Sequence, residues 1–166
     1  MPLRPGETCV IDLPVDFRDL PREFLDADVE FVVVGGYAVA FHGHPRATKD
    51  LDLLVRATPS NAHRVYRALG EFGAPLHAFD VTEADFADYD GVLQIGLPPN
   101  RVDILNRISG VTFDEAVAEG SAFDVDGRRV PVIGLQALLT NKRATGRTQD
   151  AADTEALSVM QARRAT

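Results

Sequence analysis

The segment Asp50-Leu51-Asp52-Leu53-Leu54-Val55 constrains this chain more than any other. Polar and apolar residues alternate at its start, the period of a β-strand. Asp50 and Asp52 therefore project from one face while Leu51, Leu53 and Val55 turn to the other. Side chains at i and i+2 lie about 7 Å apart along a strand, and two such carboxylates repel each other when both ionise. A divalent cation removes that cost. Mg²⁺ takes oxygen ligands and keeps waters and substrate phosphates in its remaining positions. The same Asp-x-Asp pattern also suits a solvated sheet edge or a hairpin end, so the pair needs support from elsewhere in the chain.

A third acid supplies that support. Asp103 lies between Val102 and Ile104 in the strand-like stretch Arg101–Leu105, a polar position between two apolar ones. If this strand pairs beside Asp50–Val55, three carboxylates converge. That arrangement permits two metals about 4 Å apart, one activating an attacking oxygen and one on a triphosphate. Upstream, Glu30–Val34 (EFVVV) reads as a buried strand that ends at Gly35-Gly36, followed by a short helix over Tyr37–Gly43. Free backbone N–H groups at such a junction favour an anion, and glycine lets a phosphate approach closely. A plain strand-to-helix turn accounts for the same two glycines. The pattern is neither Gly-x-Gly-x-x-Gly nor a run into Gly-Lys-Ser/Thr, so the dinucleotide and P-loop readings fail.

The rest of the chain reads as one α+β domain over residues 1–166, with an irregular, Pro-rich segment at 1–15 and C-terminal helices at 134–166. Helical spacing marks Asp16–Asp28, and Ser60–Phe72 opens on Ser60 as N-cap. Val92–Leu97 and Arg101–Leu105 flank the turn residues Pro98-Pro99-Asn100 and form a hairpin. Thr112–Glu119 is a helix ended by Gly120. Ala122–Val125 and Arg128–Val132 flank Asp126-Gly127, a hairpin signal. Leu135–Ala144 is a helix stopped near Gly146, and Thr148–Arg163 a last helix, with Thr148 as N-cap and Asp150 in its first turn.

Composition limits the partners. The formal net charge of −8 disfavours an extended nucleic-acid surface, although Arg101, Lys142, Arg143 and Arg147 lie in a late basic cluster. The single cysteine, Cys9, suits a reducing compartment. No stretch approaches the roughly 20 apolar residues of a membrane helix, and the start has no leader-like core. These features predict a cytoplasmic protein without a membrane partner. His42 and His44 flank Gly43 with no cysteine or third histidine to complete a metal set, and read as loop or core residues.

Val34-Gly35-Gly36, thirteen residues, Asp50-Leu51-Asp52-Leu53, then Val102-Asp103-Ile104 together resemble the nucleotidyltransferase superfamily, which includes DNA polymerase beta and the aminoglycoside and minimal nucleotidyltransferases. The stretches GGYAVAFHGHPRATKDLDLLV (35–55), RVDIL (101–105) and VPVIGLQALLTNKRATGRTQDAADTEAL (130–157) look closest to the AbiEii-like toxin group. The resemblance covers most of residues 28–157. It implies a nucleotidyltransferase fold, a mixed central sheet with helices packed mainly on one face. It implies a Mg²⁺-dependent (or Mn²⁺-dependent) enzyme moving a nucleoside monophosphate from an NTP to a hydroxyl of RNA, protein or a small molecule. An antitoxin partner follows from the AbiEii-like kinship.

The resemblance also assigns roles. Asp50 and Asp52 would ligate the metal, and Asp103 would complete that site or act as base. Gly35 and Gly36 would contact the triphosphate, with Arg46 and Thr48 lining the entrance. Lys142 would reach the phosphates or hold the base, and Arg147, Asp150 and Asp153 would form a late cluster. Taken alone, Lys142 also suits a solvated helix face, and Asp150 a structural pair with Arg147. The chain departs from the pattern at Gly36, where many active transferases carry a serine whose hydroxyl grips a phosphate. A non-catalytic nucleotide- or partner-binding module of the same fold is the competing expectation.

Overall fold

In the computed structural model, residues 8–11, 17–44, 50–88, 91–97 and 100–165 are described. Five strands form one mixed sheet in the order β1-β4-β5-β3-β2: β1 Thr8–Ile11, β2 Phe31–Val34, β3 Asp50–Val55, β4 Val92–Ile95 and β5 Arg101–Leu105. The chain is α+β. The described helices are α1 Asp19–Asp26, α2 Gly35–Phe41, α3 Pro59–Phe72, α4 Asp85–Asp88, α5 Phe113–Val117, α6 Leu135–Thr145 and α7 Thr148–Arg164, and a two-stranded ribbon is formed by β6 Ala122–Val125 and β7 Arg128–Pro131. None of the described helices is long and apolar enough to cross a membrane.

The core runs through the sheet. All four residues of β2 are buried although it ends the strand order. Its outer edge is covered: Val33 bridges Val132, and the Ile133 N–H donates to the Val33 carbonyl at 2.9 Å. This contact hides backbone groups that an exposed edge would offer to another chain. Val65 and Leu69 of α3 and Leu20 and Phe24 of α1 are buried on spacings of four residues, the helical face that meets a sheet. Asn61 is fully buried because the backbone uses every group on it. Its Nδ2 donates to the Glu30 carbonyl and the Arg56 carbonyl, both at 2.9 Å, and its Oδ1 accepts from the Glu30 N–H at 2.7 Å. The residue thus ties the approach to β2 to the exit from β3.

Several boundaries differ from the sequence expectation. Thr8–Ile11, expected to be irregular, pairs in parallel with β4. Its Thr, Val and Ile are strand formers, and the neighbouring prolines obscured them. The cap of α3 is Thr58, whose hydroxyl accepts from the Asn61 N–H at 3.3 Å, with Pro59 at the first helical position in place of Ser60 as cap. The cap of α7 is Arg147, and Thr148 already lies inside the helix. Helix α2 begins at Gly35, two residues before Tyr37. The β6–β7 turn has φ of 51° at Asp126 and 83° at Gly127, the left-handed pair that a two-residue hairpin loop requires.

Candidate active site

The site is built by strand register. β3 and β5 run parallel, with Asp50 opposite Arg101 and Asp52 opposite Asp103. Partners in adjacent strands share a face and lie about 4.8 Å apart. Three carboxylates and one guanidinium therefore form a square on one side of the sheet, while Val102 and Ile104 fill the core on the other. The Arg101 side chain holds two corners. Its Nη2 donates to Asp50 Oδ2 at 2.6 Å and to Asp103 Oδ2 at 3.2 Å, and its Nε donates to Asp103 Oδ1 at 2.9 Å.

One guanidinium does not neutralise three acids. Burial, reinforced by the charges of Asp103 and Asp50, pushes the Asp52 carboxyl up to about 7 against the opposing pull of Arg101 and Lys142. Asp103 is also raised, by burial first, although the Arg101 hydrogen bond and charge draw it back.

Gly35 closes this acidic face. Its φ is +69°, and a Cβ built there would lie 2.0 Å from Asp52 Oδ2. Any side chain at this position meets both a backbone penalty and the carboxylate itself. The bare Gly35 backbone lines the cleft, whereas Gly36 is buried inside α2.

Helices α6 and α7 supply the opposite, basic wall. Lys142 is buried in α6, and its Nζ contacts Asp150 Oδ1 at 2.9 Å and Asp153 Oδ2 at 3.4 Å, both from α7. Asp150 further accepts from the Thr145 hydroxyl and from Arg147 Nε at 2.7 Å. Burial alone would raise Asp150. The hydrogen bonds from Thr145, Arg147 and Lys142 outweigh it and hold the carboxyl at about 2. The cleft between the walls has a volume of about 360 Å³, within the usual range for small-molecule pockets, and takes in Gly35, Asp50, Asp52, Asp103, Lys142 and Arg147.

Of the residues singled out in the sequence, Gly36 and Asp150 stand behind the cleft wall and do not line it. Asp153, buried with Asp150, holds Lys142 from behind. Arg46 and Thr48 lie outside the described residues. His42 is a core residue, with Nε2 at 2.7 Å from the Ile133 carbonyl oxygen. The sequence marks Arg101 only as one of the late basic residues, although it stands two residues before Asp103 and so shares its face.

The donor set is all carboxylate oxygen, the chemistry of a hard divalent cation. The positive charge that Asp52 lacks is what such an ion supplies. In the arrangement seen, however, no group of three His, Cys, Asp or Glu among the described residues is gathered to hold a metal. Arg101 spans Asp50 and Asp103 instead.

A mixed sheet with an acidic pair on one strand, a third acid in register on the next and a glycine pressed against them has the architecture of the nucleotidyltransferase-like α+β class. The chain belongs to the family described as nucleotidyl transferases of unknown function (DUF2204), whose profile matches residues 15–165. No protein of curated function matches it.

Proposed function

We propose that this protein is a Mg²⁺-dependent enzyme that transfers a nucleoside monophosphate from an NTP to an acceptor hydroxyl. One observation carries the proposal: Asp52 and Asp103, in register on adjacent strands, face Lys142 and Arg147 across one cleft. Family membership supports nucleotidyl transfer as the general chemistry. The basic wall receives the triphosphate, and the open Gly35 backbone lets it approach the sheet. The acceptor oxygen forms a bond to the α-phosphorus, the bond from that phosphorus to the bridging oxygen breaks, and pyrophosphate leaves. Asp103, raised by burial, accepts the hydroxyl proton. A bound Mg²⁺ or Mn²⁺ supplies the positive charge that Asp50, Asp52 and Asp103 call for and that a triphosphate requires. Positioning and electrostatics carry the rate.

The acceptor is an RNA end, a protein or a small molecule, and the AbiEii-like stretches extend the proposal to a toxin with an antitoxin partner. The test incubates wild type and Asp52→Asn with each of four α-labelled NTPs, Mg²⁺ and a cell extract. A labelled product that requires Asp52 is expected and identifies the acceptor class. Label transferred equally by both proteins would sink the assignment. The closed contact of Arg101 with Asp50 and Asp103 favours a second reading, a non-catalytic nucleotide- or partner-binding module. Under that reading no label is transferred, and any nucleotide that binds raises the melting temperature without Mg²⁺.

A further inference from the structure

We infer that Arg101 is a built-in counter-ion that competes with the divalent cation for Asp50 and Asp103, so that metal binds only as the guanidinium leaves. The inference rests on the metal-dependent reading above, but it concerns a residue that reading does not need. Three observations lead to it. Both Asp103 oxygens and Asp50 Oδ2 are engaged by one guanidinium. The acids are not gathered around a metal position in this arrangement. Arg101 is itself partly exposed at the cleft, with its side chain 22% accessible, so it has a route outward.

The chemistry of arginine makes the competition strict. The guanidinium stays charged at any working pH, so it cannot be titrated away from the acids and must be displaced. Mg²⁺ demands near-ideal octahedral oxygen geometry at about 2.0–2.1 Å. It competes with the arginine fork for the same carboxylate oxygens of Asp50 and Asp103. Without metal, the fork limits repulsion among three neighbouring carboxylates and keeps the sheet face intact. With metal, the same fork is redundant, and its release places a cation in the cleft. Arg101 is therefore a positioning residue that sets the metal concentration at which the acids become ligands.

The test measures metal binding directly. Mn²⁺ is titrated into the full chain as wild type, Arg101→Gln and Arg101→Lys, and free Mn²⁺ is read by electron paramagnetic resonance. Charge-assisted hydrogen bonds of this kind contribute enough that their removal should tighten Mn²⁺ binding by about tenfold or more in Arg101→Gln. Arg101→Lys keeps the charge but loses the fork and should fall between. Thermal melts accompany each titration. In the absence of metal Arg101→Gln melts lower than wild type, and Mn²⁺ raises its melting temperature by more. If the glutamine variant folds only with Mn²⁺, that dependence is the same result in stronger form. Equal or weaker Mn²⁺ affinity in Arg101→Gln overturns the role of Arg101 and leaves the proposed function standing. Absence of Mn²⁺ binding in all three folded proteins overturns both.

Discussion

Two groups of aspartates in this protein have opposite electrostatics. On the sheet, Asp52 shares a face with two other acids and one arginine, and its carboxyl is driven up to about 7. Between α6 and α7, Asp150 is more enclosed than the half-buried Asp52, yet lysine, arginine and threonine donors hold it at about 2. The residue type is the same and the more enclosed carboxyl is the one held low, so the difference lies in the partners. Where every acid has its donor, burial makes a structural clasp. Where acids outnumber donors, the fold bears an unfavourable charge that a positive ligand relieves, the pattern expected of functional sites.

The largest effect belongs to the clasp. Asp150→Ala removes the acceptor shared by Lys142, Thr145 and Arg147 and leaves a buried ammonium with Asp153 as its named partner. A loss of about 3–5 kcal/mol is expected, read from urea unfolding at pH 7. A loss below 1 kcal/mol would break the contrast between the two regions.

The next effect is a pH dependence with opposite signs. Asp52 has a folded pKa above its unfolded value of 3.8, so its contribution is complete below pH 4 and declines as the pH rises to about 7, by a ceiling of about 4 kcal/mol. Asp150 has a folded pKa below 3.8, so its contribution is complete above pH 4 and declines as the pH falls toward 2. Without added metal, unfolding free energies from pH 3 to 8 should show Asp52→Asn gaining on wild type between pH 4 and 7. Parallel curves for the two proteins would remove the unfavourable charge from the sheet. Gly35→Ala follows. Its positive φ and the 2.0 Å approach to Asp52 Oδ2 predict a loss of about 2–3 kcal/mol, measured as a shift in urea midpoint. The further variant Gly35→Ala/Asp52→Ala should recover part of that loss, because the Oδ2 and Cγ clashes disappear while the 3.2 Å approach to the Cβ of residue 52 and the φ penalty stay.

The sheet site was more legible in sequence than the clasp, for physical reasons. Strand periodicity is two, so Asp50, Asp52 and Asp103 could be put on faces by counting, and the β3 boundaries followed from the same alternation. The pairing partner remained conditional until the β3–β5 register joined Asp52 to Asp103. Arg101 is readable by the same rule, since 101 and 103 differ by two, but a lone cation in a late basic cluster carries no signal of its own. The clasp depends on how two helices meet across Gly146, a crossing that neither helix encodes locally. Thus Lys142 suits a solvated face as well as a site when read from its own helix, yet it is buried. The edge strand Thr8–Ile11 was hidden for a similar reason: four residues become a strand through pairing with β4, not through a pattern of their own.

The smallest effect sharpens the comparison from within the clasp. Arg147 and Lys142 both donate to Asp150, but the Arg147 side chain is 72% exposed and that of Lys142 only 4%. Water replaces an exposed donor and screens its charge, so Arg147→Ala should cost under about 1 kcal/mol in urea unfolding. Lys142→Ala removes the buried ammonium shared by Asp150 and Asp153 and should cost several times more. If the two substitutions cost the same, the clasp is held by surface charge and not by burial with matched donors. If Arg147→Ala is mild for the fold yet weakens NTP binding in a fluorescence titration, Arg147 belongs to the cleft it lines. The same helix end then serves both regions, with Asp150 holding the structural side and Arg147 facing the ligand.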